Sequence, residues 1–157
     1  MPDVFDVAKR SDVMSRIRAR GNKTTELAMV AVLRSFDFTG WRRHLTIRIS
    51  ERNEAAGRLA RAMPPLVTKP DFVFRRQKVV IYVDGCFWHG CPLHMKPPGG
   101  NATFWSEKIA GNKARDRRAN RLLRRAGWRV VRVWEHELKE NTRMVATRIR
   151  RALRERP

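Results

Sequence analysis

Acidic residues are scarce in this chain. Against 35 Lys and Arg stand 15 Asp and Glu, a formal net charge of +20 over 157 residues. That imbalance argues against an acidic enzyme of small molecules and points to a polyanionic partner, nucleic acid first and an anionic membrane surface second. Cysteine is nearly missing too. Cys86 and Cys91 are the two, five positions apart, which excludes a disulfide-built secreted scaffold. No apolar run approaches the roughly 20 residues that span a bilayer. The opening MPDVFDVAKRSDVM lacks the charged-then-apolar pattern of a secretory signal. The expectation is a soluble cytoplasmic protein with no membrane partner. There is no internal repeat and no long low-complexity tract.

What is present suits one folded domain. The hydrophobic fraction is 42%, too high for a disordered tail. A chain of about 150 residues buries roughly 70% of the surface it exposes when unfolded. Most of the basic residues are Arg, whose planar fork suits phosphate better than a point charge does.

Residues 1–23 read as a basic arm with a short apolar set at Val13, Met14 and Ile17. From Thr24 to Phe36 the apolar residues Leu27, Val30, Ala31 and Leu33 recur at helical spacing, with Thr24 or Thr25 as cap. Trp41 to Ile49 alternates weakly, as an edge strand would. Residues 50–68 mix charge, Gly and Pro and read as an irregular excursion. Asp71–Phe74 and Val79–Val83 are two short β-rich runs in a hairpin pattern. Residues 84–102 concentrate Gly, Pro, Cys and His in one loop. Thr103 to Ala126 is a long helical pattern stopped by Gly127. Trp128–Trp134 reads as a central strand, and the chain from Asn141 as a basic helix with Val145, Ile149 and Leu153 on one side. The order of elements predicts a compact α/β domain with a mixed sheet.

Five constellations carry chemistry. Cys86, Cys91 and His94 form C-x4-C-x2-H, and His136 lies beyond the next strand. Two thiolates and two imidazoles complete a tetrahedral zinc shell, while two free thiols with surface histidines, or a local disulfide, fit the same spacing. Asp71 opens one strand and Asp84 closes the next. A strand-end carboxylate near an oxygen ligand on its neighbour is a way to hold Mg2+; a strand cap and a turn residue are the simpler alternative. His89 sits in the same loop, able to take a proton from water or to be a plain surface histidine. Glu26 fits the first turn of its helix through the dipole, and His44 has no partner nameable from sequence. In the long helix, Trp105, Ile109, Asn112, Asp116, Ala119, Leu123 and Ala126 step by four and three. Asn112 and Asp116 interrupt this otherwise apolar seam, either as a solvated face or, with Lys108, as readers of a base edge. Residues 113–132 hold nine Lys and Arg against one Asp, a density suited to phosphates. Phe87 and Trp88 are adjacent loop aromatics, fit to enter a base stack or to pack locally.

Taken together, PDFVF at 70–74, VDGCFWHGCPLH at 83–94, FWSEKIAGNKARDRR at 104–118, GWRVVRVWEHEL at 127–138 and RSDVMSRIRARGNKTTE at 10–26 resemble the very short patch repair (Vsr) mismatch endonucleases. The resemblance spans about residues 8–140. It implies a restriction-endonuclease-like α/β fold, a mixed β-sheet flanked by helices with a structural zinc site. It implies a Mg2+-dependent nick on the 5′ side of the T in a T·G mismatch left by deamination of 5-methylcytosine. By matching position, Asp71 would bind Mg2+ with the backbone carbonyl of Val83, His89 would activate water, and Glu26 would support it. Cys86, Cys91, His94 and His136 would hold Zn2+. Phe87, Trp88 and Trp105 would wedge into the duplex, Met14 would enter from the other side, and Lys108 and Asn112 would sense the wobble pair.

The expected layout is an arm over 1–23, an endonuclease domain over 24–140, and a basic helix over 141–157 packed on it. The expected partner is double-stranded DNA carrying a T·G mismatch. A monomer, a nucleoid-associated cytoplasmic location and a link to mismatch-repair proteins follow from the resemblance. Asp84 stands where some relatives carry a second His, which either adds a water-mediated metal ligand or removes a proton-transfer group. The residues also admit two other readings: a restriction-type or transposon-associated nickase with another target, and a non-catalytic zinc-stabilised nucleic-acid-binding module.

Overall fold

A computed structural model describes residues 25–50, 65–95 and 102–154. The arm over 1–23, with Met14, and residues 51–64 of the excursion lie outside the described residues.

Helix α1 covers 25–35. Strands β1 (Trp41–Arg43), β2 (Ile47–Ile49), β3 (Leu66–Thr68), β4 (Phe72–Phe74) and β5 (Val79–Asp84) follow. Then come α2 (Ala102–Arg125), β6 (Arg129–Trp134), α3 (Glu137–Glu140) and α4 (Thr142–Arg154). The main sheet has the order β1-β4-β5-β6. Its first two pairings are antiparallel and β5·β6 is parallel, with Val79 opposite Arg129 and Asp84 opposite Trp134. β2 and β3 form a separate antiparallel pair.

Both faces of the main sheet are covered, which explains why β4 and the first half of β5 are apolar without interruption. Phe72, Phe74, Val79, Ile81 and Val133 pack with Met29 and Leu33 of α1 and with Val145 and Ile149 of α4. Val73 and Val80, pointing the other way, pack with Leu66 and with Leu122 and Leu123 of α2. The basic C-terminal helix therefore shares the core of the sheet. Asn141 caps it, its Oδ1 accepting the Met144 N–H at 3.2 Å.

The hairpin and the long helix sit where the sequence predicts them. Helix α2 ends in a Schellman motif: Gly127 takes φ +79°, Trp128 N–H donates to Leu123 O, and Gly127 N–H donates to Arg124 O. Three expectations change. The stretch Trp41–Ile49 is two strands in two sheets, because His44 between them adopts φ +54° and turns the chain. The end of the 50–68 excursion is ordered as β3, paired with β2. Strand β6 is an edge rather than a central strand among the described residues.

Candidate active site and metal centre

Chemistry gathers at the C-terminal end of β5. Asp71 enters β4 directly after Pro70, and its Oδ2 accepts the Val83 N–H at 2.7 Å. The N–H groups of Arg129, at the start of β6, and of Glu135, just past its end, donate to the carbonyls of Lys78 and Asp84, so even-numbered residues of β5 face β6. Odd-numbered Val83 therefore turns its N–H and its carbonyl toward the Asp71 side. Glu26, buried on α1, and His44, in the turn between β1 and β2, complete the group. The ligand atoms of Glu26, His44 and Asp71 lie within 4.8 Å of one another. His44 Nε2 is 3.0 Å from Glu26 Oε2, and Arg43 donates to the same oxygen. His44 N–H also donates to Asp71 O at 3.2 Å, so the left-handed turn fixes the imidazole against both acids. Burial raises the Asp71 pKa above its ordinary value; the Val83 N–H opposes this and the charge of Glu26 adds to it. Two carboxylates and an imidazole, one carboxylate held at a desolvation cost, form a donor set that suits a divalent cation.

A second network flanks this one. His89 follows the turn that leaves β5, its N–H donating to Gly85 O. Its Nδ1 is 2.6 Å from Asp116 Oδ2 on α2 and 3.5 Å from Asp84 Oδ1. Arg132 on β6 donates Nη1 to both oxygens of Asp84, at 2.7 and 2.9 Å, and Nη2 to Asp116 Oδ1 at 3.0 Å. Its Nε donates to Asn120 Oδ1, and the guanidinium lies 4.7 Å from the centre of the Tyr82 ring. Burial works against the Asp116 charge. The His89 hydrogen bond and the Arg132 charge outweigh it and hold the pKa below the usual carboxylate value. An ionised carboxylate only accepts, so Nδ1 carries the hydrogen and Nε2 is the basic nitrogen of neutral His89. His89 and Asp116 line a cleft of about 710 Å³, with Lys108, Asn112 and Trp88 on the same wall.

The third cluster is Cys86, Cys91, His94 and His136. Their ligand atoms also lie within 4.8 Å of one another. His136 Nδ1 is 3.2 Å from Cys86 Sγ and 3.7 Å from Cys91 Sγ, and His94 Nδ1 is 3.9 Å from Cys91 Sγ. Ligands about 2.0–2.3 Å from a tetrahedral zinc ion lie roughly 3.3–3.8 Å apart, so the arrangement is compatible with a structural metal. Both thiols are free, which removes the local disulfide. Beside it Phe87, Trp88 and Trp105 meet edge to face, with centroids 5.1–6.0 Å apart. The loop bearing these groups sits hard on α2. At Gly90, φ is +63° and an added Cβ would lie 2.8 Å from Ile109 Cγ2.

The geometry can be set beside known proteins. Residues 57–94 match the family model described as DNA mismatch endonuclease Vsr. The type II nicking enzyme V.NaeI of Lentzea aerocolonigenes is 55% identical over 69 residues, 44% of this chain and 42% of that enzyme. The type II nicking enzyme V.NmeAIP of Neisseria meningitidis is 33% identical over 99% of this chain and 96% of its own length. The DNA mismatch endonuclease Vsr of Escherichia coli K12 is 35% identical over 88% of this chain and 77% of its own length. The chain belongs to the Vsr and type II nicking-enzyme family. It is thus a nuclease-type enzyme that acts on DNA.

In this Vsr-family chain, Asp71, Glu26 and the Val83 backbone come together as one group, and His89 stands in the neighbouring one. Asp84 bridges the two: it faces His89 and Arg132, and its charge is felt at Asp71. Asn112 and Asp116 do not form a solvated helix face. Both turn inward, Asp116 to His89 and Arg132, and Asn112 to the Trp88 carbonyl, to which its Nδ2 donates at 2.8 Å. Arg115 donates to the Asn112 Oδ1, so the amide is engaged at both ends. Lys108 stays exposed at the cleft. Sequence reasoning missed His44 and Arg132 as site residues, and noted Asp116 only as a break in the seam.

Proposed function

We propose that this protein nicks one strand of DNA on the 5′ side of the T in a T·G mismatch arising from 5-methylcytosine deamination, with Mg2+ and a histidine base. What carries this reading is the placement of two groups at one sheet end: the acids around Asp71, and His89 with its Nδ1 hydrogen on Asp116. Asp71 and the Val83 carbonyl would hold Mg2+, which when bound would supply Lewis-acid polarisation of the scissile phosphate.

The chain's own residues do the rest. His89 Nε2 takes the proton of the attacking water, and the Asp116 carboxylate steadies the imidazolium that forms. General base help of this kind is worth about 10²–10⁴-fold. Glu26, fixed by Arg43 and His44, orients the water network. Phe87, Trp88 and Trp105 wedge into the duplex from the major groove, with Met14 of the arm entering opposite. A mismatched step costs less to unstack, so insertion selects the lesion. Lys108 contacts the wobble pair; Asn112 reaches it by releasing one of its internal bonds. Cys86, Cys91, His94 and His136 would hold Zn2+, which when bound would tie the loop that carries His89 to the end of β6. Residues 24–140 form the nuclease unit of a restriction-endonuclease-like monomer, with 1–23 as a DNA-contacting arm and 141–157 packed alongside. It works on the nucleoid in the cytoplasm, linked to mismatch-repair proteins.

A duplex pair tests this. Nicking of a T·G duplex in Mg2+, with its T·A counterpart left intact, is the expected result; equal cleavage of both refutes the mismatch reading. Asp71→Ala is expected to abolish nicking while duplex binding persists, and full activity in that variant refutes the metal assignment.

A further inference from the structure

The β6 edge forms a second site, away from the catalytic end. Helices α2 and α4 cover opposite faces of the sheet, and the strand edge between them floors a groove of about 610 Å³. Odd-numbered residues of β6 donate their N–H groups to β5. Val130 and Arg132 therefore turn N–H and C=O outward, and no strand among the described residues pairs with that edge. At its far end the Trp134 N–H is already taken by Glu137 Oε2 at 2.8 Å. The open stretch is 129–133.

The walls are cationic. Arg124 of α2 and Arg148 and Arg151 of α4 line the groove with Arg129, and among the described residues no acidic one does. Two of these guanidinium groups are incompletely used. Arg129 donates Nη2 to Gln77 O, yet its Nε and Nη1 are buried without a hydrogen-bond partner among the described residues. Arg148 donates Nη2 to Glu137, and its Nε is likewise buried without one. Buried donors lacking acceptors cost stability and mark a place where an acceptor belongs. Both side chains line the groove, so a carboxylate entering it would bring an acceptor to them.

We propose that this groove binds an extended acidic segment of a partner protein, which adds to β6 as a further strand and sets its carboxylates against Arg129 and Arg148. An open strand edge gives main-chain affinity, and its walls select side chains. A peptide supplies donors as well as acceptors to the outward C=O and N–H groups; nucleic-acid phosphates only accept and leave the carbonyls unmet. A second copy of this chain, with its +20 charge, brings more Arg to a wall of Arg.

The probe is a fluorescein-labelled peptide of alternating Glu and Val, about eight residues long to span β6. Fluorescence anisotropy on the full chain is expected to show saturable binding that excess T·G duplex does not displace. N-methylation of alternate backbone nitrogens, which keeps charge but blocks the ladder, is expected to weaken it about tenfold or more, as is Arg148→Gln with Arg151→Gln. Hydrogen exchange on the unaltered chain is expected to slow at Val130 and Arg132 when the peptide is added, a readout that needs no variant to fold. Absence of binding overturns the proposal. So does equal binding of the N-methylated peptide, or displacement by duplex DNA, which would assign the groove to the nucleic acid. None of these outcomes bears on nicking.

Discussion

Asp116 keeps its charge because of what surrounds it. Its carboxylate accepts from His89 on one oxygen and from Arg132 on the other, which sets the tautomer of the imidazole. Asp116→Asn places an amide there, and an amide nitrogen facing Nδ1 favours the opposite tautomer. Single-turnover nicking is expected to fall about 10²–10⁴-fold while duplex affinity, read by anisotropy, stays near the parent value. At this scale the sequence was legible in part. Asp71 and the four Cys and His residues of the cluster stand out by motif and spacing. Asp116 shows as a polar break in an apolar seam, which says that it is unusual and not whom it meets. His44 and Arg132 could not be found, because their partners lie 18 and 48 positions away: Glu26 on α1, and Asp84 on the neighbouring strand.

Helix α2 and the loop that precedes it act as a unit. Gly90 has no room for a Cβ beside Ile109 and takes a left-handed conformation. Gly90→Ala is expected to lift this loop, lowering both the melting temperature and the metal content, read by calorimetry and by a zinc-sensitive dye; unchanged values would show that the contact gives way freely. The short helix α3 adds a pH dependence. Burial opposes the charge of Glu137, but the Arg148 ion pair and the Trp134 N–H outweigh it and lower its pKa below the ordinary 4.5. A depressed folded-state value contributes stability above the unfolded pKa and loses it as pH falls through the folded one. The melting temperature is therefore expected to drop below about pH 4.5, and less steeply in Glu137→Gln. The long helix was plain in the sequence because its steps of four and three persist over many turns despite one polar break, and the β4–β5 hairpin because two β-rich runs flank a short polar link. The three-residue strands β1, β2 and β3 were not, since so short a run carries little periodic signal and depends on a partner across the sheet for its identity. The edge position of β6 was hidden for the same reason. Its three valines are interspersed with Arg132, which serves the site, and Arg129, which lines the groove, and pairing on one side only leaves no mark in composition.

Across the whole molecule, the Cys and His cluster is where distant parts of the chain are joined. Burial pushes the Cys86 thiol above its ordinary pKa, against the opposing contact from His136. Metal must displace that proton, so loading zinc into chelator-treated protein in weak buffer is expected to acidify the solution, and chelation to lower the melting temperature. A protein that melts identically with and without chelator would not use this cluster structurally. Charge and motif order foretold a DNA-acting α/β enzyme; the pairing of remote groups had to come from the folded chain. Three of the four ligands lie within residues 86–94 and the fourth is His136, with all of α2 and β6 strung between them. A metal ion there would fasten the two halves of the molecule as a pin does. With it in place, one peptide bond hydrolysed in the stretch 96–101 would leave the fragments travelling together, and removing the ion would strip away that tether, leaving the β5·β6 ladder, the ion pairs and the core to hold them.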